Sequence, residues 1–154
     1  MSSRLTHAAL AFVVAFAVAQ FVRPSRANPP IDPARTIQAH EPATGLGAVL
    51  DRSCGDCHSN ATSRRWYTEV APLSWLMAAE VTRGRRIVNF SEWASYPPEQ
   101  QQALLSLSCQ DATAGKMPGP YVWFRSETRL SAEDIALICT AARQADARLG
   151  GVTR

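Results

Sequence analysis

The sequence predicts a mainly α-helical fold, because helix start and stop signals follow one another after residue 44 and no strand-like alternation stands out against them. The chain has 154 residues, which leaves room for one domain and a short leader. Hydrophobic residues make up 46% of it and charged residues 19%, a composition typical of packed globular proteins. We therefore expect one compact helical domain over residues 44–150.

The first two predicted helices flank a cysteine motif. Apolar residues at helical spacing predict a short helix from Leu46 to Arg52, directly before the motif. A second helix is predicted from Ser74 to Arg86, with Ser74 as its N-cap and a basic last turn that suits the helix dipole. The motif is therefore expected at a helix end.

Two longer helices are predicted in the second half of the chain. Ser95 and Pro97-Pro98-Glu99 are start signals for a helix that runs to about Ala114, where Gly115 stops it. Ser131 and Asp134 form a capping box that opens the last helix, which is expected to end near Leu149, before Gly150-Gly151. The buried side of the first of these two helices is predicted to consist of Leu104, Leu105, Leu107, Ser108, Cys109 and Ala112.

Residues 1–22 are predicted to be a signal peptide or a membrane anchor. Arg4 precedes an apolar run from Ala8 to Val22 that only Gln20 interrupts, and Ala17-Val18-Ala19 is an A-x-A cleavage site. Cleavage before Gln20 would leave a soluble periplasmic protein, whereas the uncleaved run would attach the chain to the inner membrane. The third alternative is a buried N-terminal helix of a cytosolic protein. It is disfavoured because no polar residue recurs at helical spacing in the apolar run before Gln20.

Residues 23–43 are predicted to be an extended tether, because five prolines fall between Pro24 and Pro42 and apolar residues are few. The formal net charge of +3 is a mild excess, and arginine supplies 15 of the 16 basic side chains. Apart from Arg64-Arg65 and a group at residues 83–86, these arginines are spread along the chain. Nucleic-acid binders carry a more concentrated basic patch, so we expect no nucleic-acid partner.

Cys54-Gly55-Asp56-Cys57-His58 has the C-x-x-C-H spacing of covalent c-type haem attachment. Two cysteines within one tight turn can each bond a different vinyl group of one porphyrin, and His58 then projects toward the iron as a neutral imidazole. The sequence therefore predicts one haem c, attached at Cys54 and Cys57 and ligated by His58. The alternatives are a zinc site, which lacks a second close ligand pair, and a thioredoxin-like dithiol, which lacks a βαβ setting.

The opposite iron ligand is predicted to be Met117. It lies in the proline-flanked loop Gly115 to Pro120, where a thioether can point into a cavity instead of filling a helix face. Met77 stands among apolar helix residues and is expected to be core filler, and His40 lies in the tether. An open sixth position is the remaining alternative, and it would favour ligand sensing or peroxide chemistry over electron transfer.

Two tryptophans are predicted to line the haem crevice: Trp66, which is near His58 in the sequence, and Trp123, which is near Met117. A second cysteine pair, Cys109 and Cys139, lies on the apolar sides of two predicted helices. These residues form either a structural disulfide, which an oxidising compartment permits, or two buried thiols, and the sequence leaves both readings open.

The chain resembles the bacterial haem-binding domain family, small proteins that combine a leader, a C-x-x-C-H segment and a helical remainder. The resemblance covers Gln20 to about Arg148 and rests on Gln20-Phe21-Val22-Arg23-Pro24, Asn28-Pro29-Pro30, Cys54 to Asn60, Ala71 to Leu76, Asn89 to Trp93 and Gly115 to Pro118. It implies a cytochrome c-like, mainly α domain around a covalent haem, in which Met117 matches the family's Met-Pro position. Cys109 and Cys139 depart from the family pattern.

The leading functional prediction is a one-haem electron carrier in the periplasm, with His58 and Met117 as axial iron ligands. We expect an electron-transfer or haem-binding module rather than an enzyme, and the sequence identifies no redox partner. The alternative is a haem-based gas sensor or peroxidase-like enzyme with an open or labile sixth site. A thiol-disulfide oxidoreductase at Cys54 and Cys57 ranks below both.

Overall fold

A computed structural model of the chain describes residues 2–25, 27–41 and 45–152. Within these ranges it contains α-helices and short 3-10 helices and no β-strand, so the predicted mainly α-helical fold is confirmed. The α-helices are α1 (Ser2–Ala19), α2 (Ile37–His40), α3 (Leu46–Ser53), α4 (Gly55–His58), α5 (Leu73–Ile87), α6 (Pro98–Thr113) and α7 (Ala132–Val152). The 3-10 helices are Pro33–Arg35, Trp66–Glu69, Phe90–Ser95, Gly119–Trp123 and Ser126–Thr128.

The four helices predicted for the domain all form, as α3, α5, α6 and α7, and two of their ends differ from the prediction. Pro72 occupies the N-cap of α5, so Ser74 lies buried in the first turn and is not the cap. α7 continues through Gly150 to Val152 instead of ending near Leu149. A glycine weakens a helix by about 1 kcal/mol relative to alanine but does not by itself impose a turn.

Both predicted capping motifs around α6 and α7 are confirmed. After α6, Gly115 has a φ of 65°. The Lys116 N–H donates to the Asp111 carbonyl at 2.9 Å, and the Gly115 N–H donates to the Ala112 carbonyl at 3.1 Å, which is a Schellman motif. Before α7, Ser131 and Asp134 exchange backbone-to-side-chain hydrogen bonds of 2.9 and 3.1 Å. The loop that carries Met117 therefore leaves α6 in a fixed direction.

The core lies where α3, α6, α7 and the 3-10 helix Phe90–Ser95 meet. Its fully buried large side chains include Ile37, Leu46, Leu50, Trp93, Leu105 and Ile138. α6 and α7 pack on each other and are joined by a disulfide between Cys109 and Cys139, which decides the question that the sequence left open. Leu107 was predicted to be buried and is 41% exposed. The buried face of α6 is narrower than the predicted one and does not include this residue.

The segment predicted as an extended tether is partly helical and partly buried. Pro33–Arg35 forms a 3-10 helix, and α2 follows with Ile37 completely buried. α2 contacts α3 and the 3-10 helix Phe90–Ser95. Burying one isoleucine side chain stabilises a fold by about 2 kcal/mol, which offsets part of the entropic cost of ordering a short segment. The packed unit therefore begins before residue 44, while residues 26 and 42–44 lie outside the described part of the chain.

α1 precedes the packed unit, and its apolar side chains are exposed, as for Phe12 at 71%. Among the described residues, no helix has both the length and the apolar character needed to cross a membrane. The chain after α1 lies against the start of α5. Gln20 accepts a hydrogen bond from the Ala71 N–H at 3.0 Å, and the Trp75 indole donates to the Val22 carbonyl at 2.7 Å. The segment that follows α1 is therefore docked on the domain.

Candidate functional site

The cysteine motif occupies one short helical turn. Cys54 is the C-cap of α3, and α4 contains the rest of the motif. The backbone N–H groups of Cys57 and His58 donate to the Cys54 carbonyl at 3.2 and 3.0 Å, and both cysteines have free thiols. Side chains three positions apart on a helical turn are neighbours, so the two thiols can be presented to one ligand.

α5 supports this turn from behind through Gly84. A Cβ atom built on Gly84 would lie 2.5 Å from the Cys57 carbonyl oxygen and 3.0 Å from the Cys57 carbonyl carbon. No real Cβ approaches a backbone atom so closely, and only glycine permits this helix to pack here. This position therefore fixes the distance between α5 and the motif.

His58 is held by one hydrogen bond and one aromatic neighbour. Its Nδ1 lies 3.3 Å from the Val88 carbonyl oxygen, which can only accept, so Nδ1 carries the proton. The Phe90 ring lies 6.0 Å from the imidazole, centroid to centroid. Burial lowers the pKa of His58, which favours the neutral ring. The second ring nitrogen, Nε2, is then the lone-pair donor available to a metal.

The thiols of Cys54 and Cys57 are poorly suited to thiol-disulfide exchange. Burial, with a smaller effect from Cys57, raises the pKa of Cys54 to about 12. Burial, followed by the nearby charges of Asp56 and Glu80, raises the pKa of Cys57 to about 11. Redox-active dithiols need a thiolate at neutral pH and therefore a lowered pKa. The environment of this pair disfavours the oxidoreductase alternative.

Asp56 is the centre of a polar network that ties the motif to a distant loop. Its carboxylate forms an ion pair with Arg125 and accepts hydrogen bonds from the Tyr121 hydroxyl at 2.9 Å and the Ser63 N–H at 2.8 Å. The side chains of Asp56 and Arg125 are only 11% and 13% exposed. Burial and the Asp56 carboxylate both raise the pKa of Tyr121, so its hydroxyl remains a donor. The network fixes Gly119–Trp123 against the motif.

An exposed aromatic surface adjoins this network. Trp66 and Trp123 are 80% and 83% exposed, and Phe124 is 56% exposed. Tyr67 connects the two segments, since its ring lies 5.9 Å from those of both Trp66 and Phe124. Large aromatic rings are seldom left this open beside a buried polar network unless something covers them.

The two methionines considered as ligands lie in different surroundings. Met117 is 42% exposed and lies four positions before Tyr121. Met77 was expected to be core filler, yet it lines a cavity of about 260 Å³ together with Val81 and Tyr121. His40 ends α2. No group of three or more His, Cys, Asp or Glu side chains that could hold a metal ion occurs in the described part of the chain.

Asp56, Tyr121 and Val88 also belong to this site and were not predicted from the sequence. A charged residue inside a short cofactor motif was the available signal for Asp56, because such a charge needs a partner when it is buried. Arg125, the partner of Asp56, also forms an ion pair with Glu127 at 3.0 Å. Nothing local in the sequence indicates that Val88 accepts from His58.

Comparison with known protein families finds a match over most of the chain. The model of the haem-binding domain family matches residues 14–144. This range includes the cysteine motif, α5, α6 and the loop that carries Met117. No curated protein and no solved structure matches the chain.

Proposed function

The chain belongs to the haem-binding domain family and is a haem-binding protein, and from this premise we propose that it is a one-haem c-type electron carrier of the periplasm. The observation that carries the proposal is the motif turn. It holds two free cysteines and a histidine whose Nδ1 is engaged by the Val88 carbonyl at 3.3 Å. That arrangement suits covalent attachment at two points and metal ligation at a third.

The residues proposed to hold the haem are those of the motif and one methionine. Cys54 and Cys57 would form the two thioethers, Nε2 of His58 would be one axial ligand, and the Met117 thioether would be the other. When bound, haem supplies reversible one-electron transfer between Fe(II) and Fe(III). Trp66 and Trp123 are proposed to cover part of the porphyrin, because their exposed rings adjoin the network around Asp56.

The chain's own residues would orient this group and limit water around it. The Val88 carbonyl keeps the His58 ring in one tautomer and one orientation. The ion pair between Asp56 and Arg125 holds the segment after Met117 against the motif. An apolar surround and a thioether ligand both favour the reduced state, so we expect a potential higher than that of a bis-histidine haem.

A periplasmic location is part of the proposal. Its support is the apolar run before Gln20, with Arg4 in front of it. The Cys109–Cys139 disulfide also supports it, since such bonds persist in oxidising compartments and are rare in reducing ones. Whether the leader is removed decides between a soluble and a membrane-attached form.

A gas sensor or peroxidase-like enzyme is the second candidate. The observation that favours it is the 42% exposure of Met117. A peroxidase needs a free acid or base on the open side of the iron. Arg125 is not free to act in that way, because Asp56 and Glu127 engage it. Electron transfer therefore remains the better-supported function.

Optical spectra of methionine variants test the axial ligand. We expect the ferric wild-type protein to show the far-red sulfur-to-iron band, Met117→Ala to lose it, and Met77→Ala to keep it as the matched control. After reduction to Fe(II), wild-type protein should bind carbon monoxide only slowly, and Met117→Ala should bind it rapidly. A wild-type protein without the band that binds carbon monoxide at once would favour the sensor. Loss of the band in Met77→Ala alone would move the ligand to Met77.

A further inference from the structure

A groove of about 700 Å³ runs between one face of α5 and the segment that follows α1. Its apolar wall includes Trp75, Ala78 and Ala79. Three arginines also line it, Arg83 and Arg86 from α5 and Arg23 from the docked segment. Arg23 is about sixty positions away in the sequence, so the basic cluster is assembled by the fold and is more than the dipole-favoured end of one helix.

The groove lies on the side of α5 away from the cysteine motif. Gly84, which packs against Cys57, is two positions from Arg86 in the same helix. Residues two apart on an α-helix point in nearly opposite directions. Arg85 is also separate from the groove, because it donates to the Ser59 carbonyl at 2.8 Å and to Asn28 at 2.9 Å. The groove shares Pro24, Ala78 and Thr82 with the cavity that Met77 lines. None of its three arginines lines that cavity, so the basic cluster is separate from the proposed haem site.

The groove carries positive charge without a compensating acid. None of its lining residues is Asp or Glu. In the described ranges, no carboxylate forms a salt bridge with Arg23, Arg83 or Arg86. Arginine guanidinium groups bind phosphate oxygens in a forked geometry and are weakly hydrated for a cation. A cluster of three such groups on an apolar wall suits a phosphate that is attached to an apolar body.

Exposed apolar side chains line the groove or are next in sequence to residues that line it. Phe21 is 85% exposed, Val22 63% and Leu76 56%. α1 leads directly into this patch, and its own apolar side chains are exposed as well. Gln20 and Trp75 hold the connection to α5 through hydrogen bonds of 3.0 and 2.7 Å, so α1 is joined to the groove by a docked segment. Aromatic and aliphatic side chains beside arginines are typical of surfaces that rest at a bilayer interface.

We propose that this groove docks the protein on a membrane by binding the phosphate groups of anionic phospholipids through Arg23, Arg83 and Arg86. The apolar residues Phe21, Val22 and Leu76 enter the interfacial layer beside them. The domain is then held at the bilayer with α5 facing the lipid and the cysteine motif facing away. This inference does not depend on haem, because none of its residues belongs to the motif or its network.

Vesicle binding by the full-length chain tests the proposal. The partition coefficient is measured by flotation against vesicles of phosphatidylcholine alone and of phosphatidylcholine with phosphatidylglycerol, each titrated through half-binding. α1 contributes to both compositions, so the ratio of the two coefficients reports the headgroup effect. We expect wild-type protein to prefer the anionic vesicles by more than tenfold, and the preference to fall in high salt.

Charge-matched variants locate the effect. In Arg83→Gln/Arg86→Gln, the ratio of the two partition coefficients should fall on the order of tenfold. Arg129→Gln/Arg143→Gln, which removes the same charge from other exposed positions, should change it by less than about twofold. The proposal is overturned if wild-type protein shows no anionic preference, or if both double variants lose it equally. Binding of inorganic phosphate without preference for anionic vesicles would also overturn it. Circular dichroism checks that each variant is folded.

Discussion

Asp56, inside the cysteine motif, forms an ion pair with Arg125, which lies 69 positions further along the chain. Both side chains are nearly buried. The pair joins the short turn that presents His58 to the loop that follows Met117, so the two halves of the candidate site are connected through it. Removing the partner of a buried charge is strongly destabilising, so the fold depends on this network.

Removal of Arg125 should destabilise the fold through the carboxylate left behind. In Arg125→Met, Asp56 keeps the Tyr121 hydroxyl and the Ser63 N–H but loses its counter-charge. The free energy of unfolding, measured by urea denaturation, should fall by about 2 kcal/mol. Arg129→Met, at an exposed position, should stay within about 0.5 kcal/mol of wild type. Adding Asp56→Asn should recover part of the loss. Equal losses in both arginine variants would contradict the buried pair.

Gly84→Ala should force α5 away from the motif. The new Cβ would meet the Cys57 carbonyl oxygen at 2.5 Å, and both partners there are helical backbone that cannot yield by a rotamer change. We expect a loss of about 2 kcal/mol or more in unfolding free energy. Gly150→Ala, which meets nothing within 4 Å, is the matched control and should be neutral or slightly stabilising. Thermal melts of the two variants compare them directly, and similar melting temperatures would rule out the close contact.

The disulfide between α6 and α7 should contribute stability without affecting haem attachment. It closes a separation of 30 residues, for which the chain-entropy model gives about 3 to 4 kcal/mol. Cys109→Ser/Cys139→Ser should lower the free energy of unfolding by about that amount. Its haem content per chain should equal that of wild type. A variant with unchanged stability would show that the bond does not constrain the unfolded chain, and a loss of haem content would link the pair to the site.

Protonation of Asp134 at low pH should lower the free energy of unfolding slightly. The Ser131 N–H, followed by Arg52 at 2.5 Å, holds the pKa of Asp134 below its ordinary value of 3.8. A lowered folded pKa means that the stabilisation is complete above pH 3.8 and is lost as the pH falls through the folded value. Asp134→Asn should therefore be less stable than wild type at pH 7 by up to about 1 kcal/mol, and equally stable in strong acid. A difference that is constant with pH would contradict this origin.

The helices could be predicted from the sequence because their signals are local. Capping residues such as Ser131 and Asp134, and the turn at Gly115, act within a few positions of each other. Burial of Ile37 could not be predicted in this way, because it depends on α3 and on the 3-10 helix Phe90–Ser95 closing over it. Prolines near it indicated an extended tether, and tertiary packing outweighed that local preference.

The candidate site divides in the same manner. Its cysteines and His58 lie within five consecutive residues, and their spacing alone predicted haem attachment. The groups that orient them come from Val88, Gly84 and Arg125, which are brought to the motif only by the packing of α5 and of the loop after α6. A local sequence pattern does not indicate contacts between residues that are far apart in the chain. Long-range partners of a short motif are therefore the part that required the structure.

Covalent haem at Cys54 and Cys57 is the central claim, and intact mass combined with thiol alkylation tests it most directly. The full chain is expressed for export in a host with a working haem-attachment system, then denatured, reduced and alkylated. We predict that the protein's mass is increased by one haem, that Cys109 and Cys139 are alkylated, and that Cys54 and Cys57 are not. The Cys54→Ser/Cys57→Ser variant should lack the added mass. An exported wild-type chain that lacks the mass of haem and has all four cysteines alkylated would contradict the account.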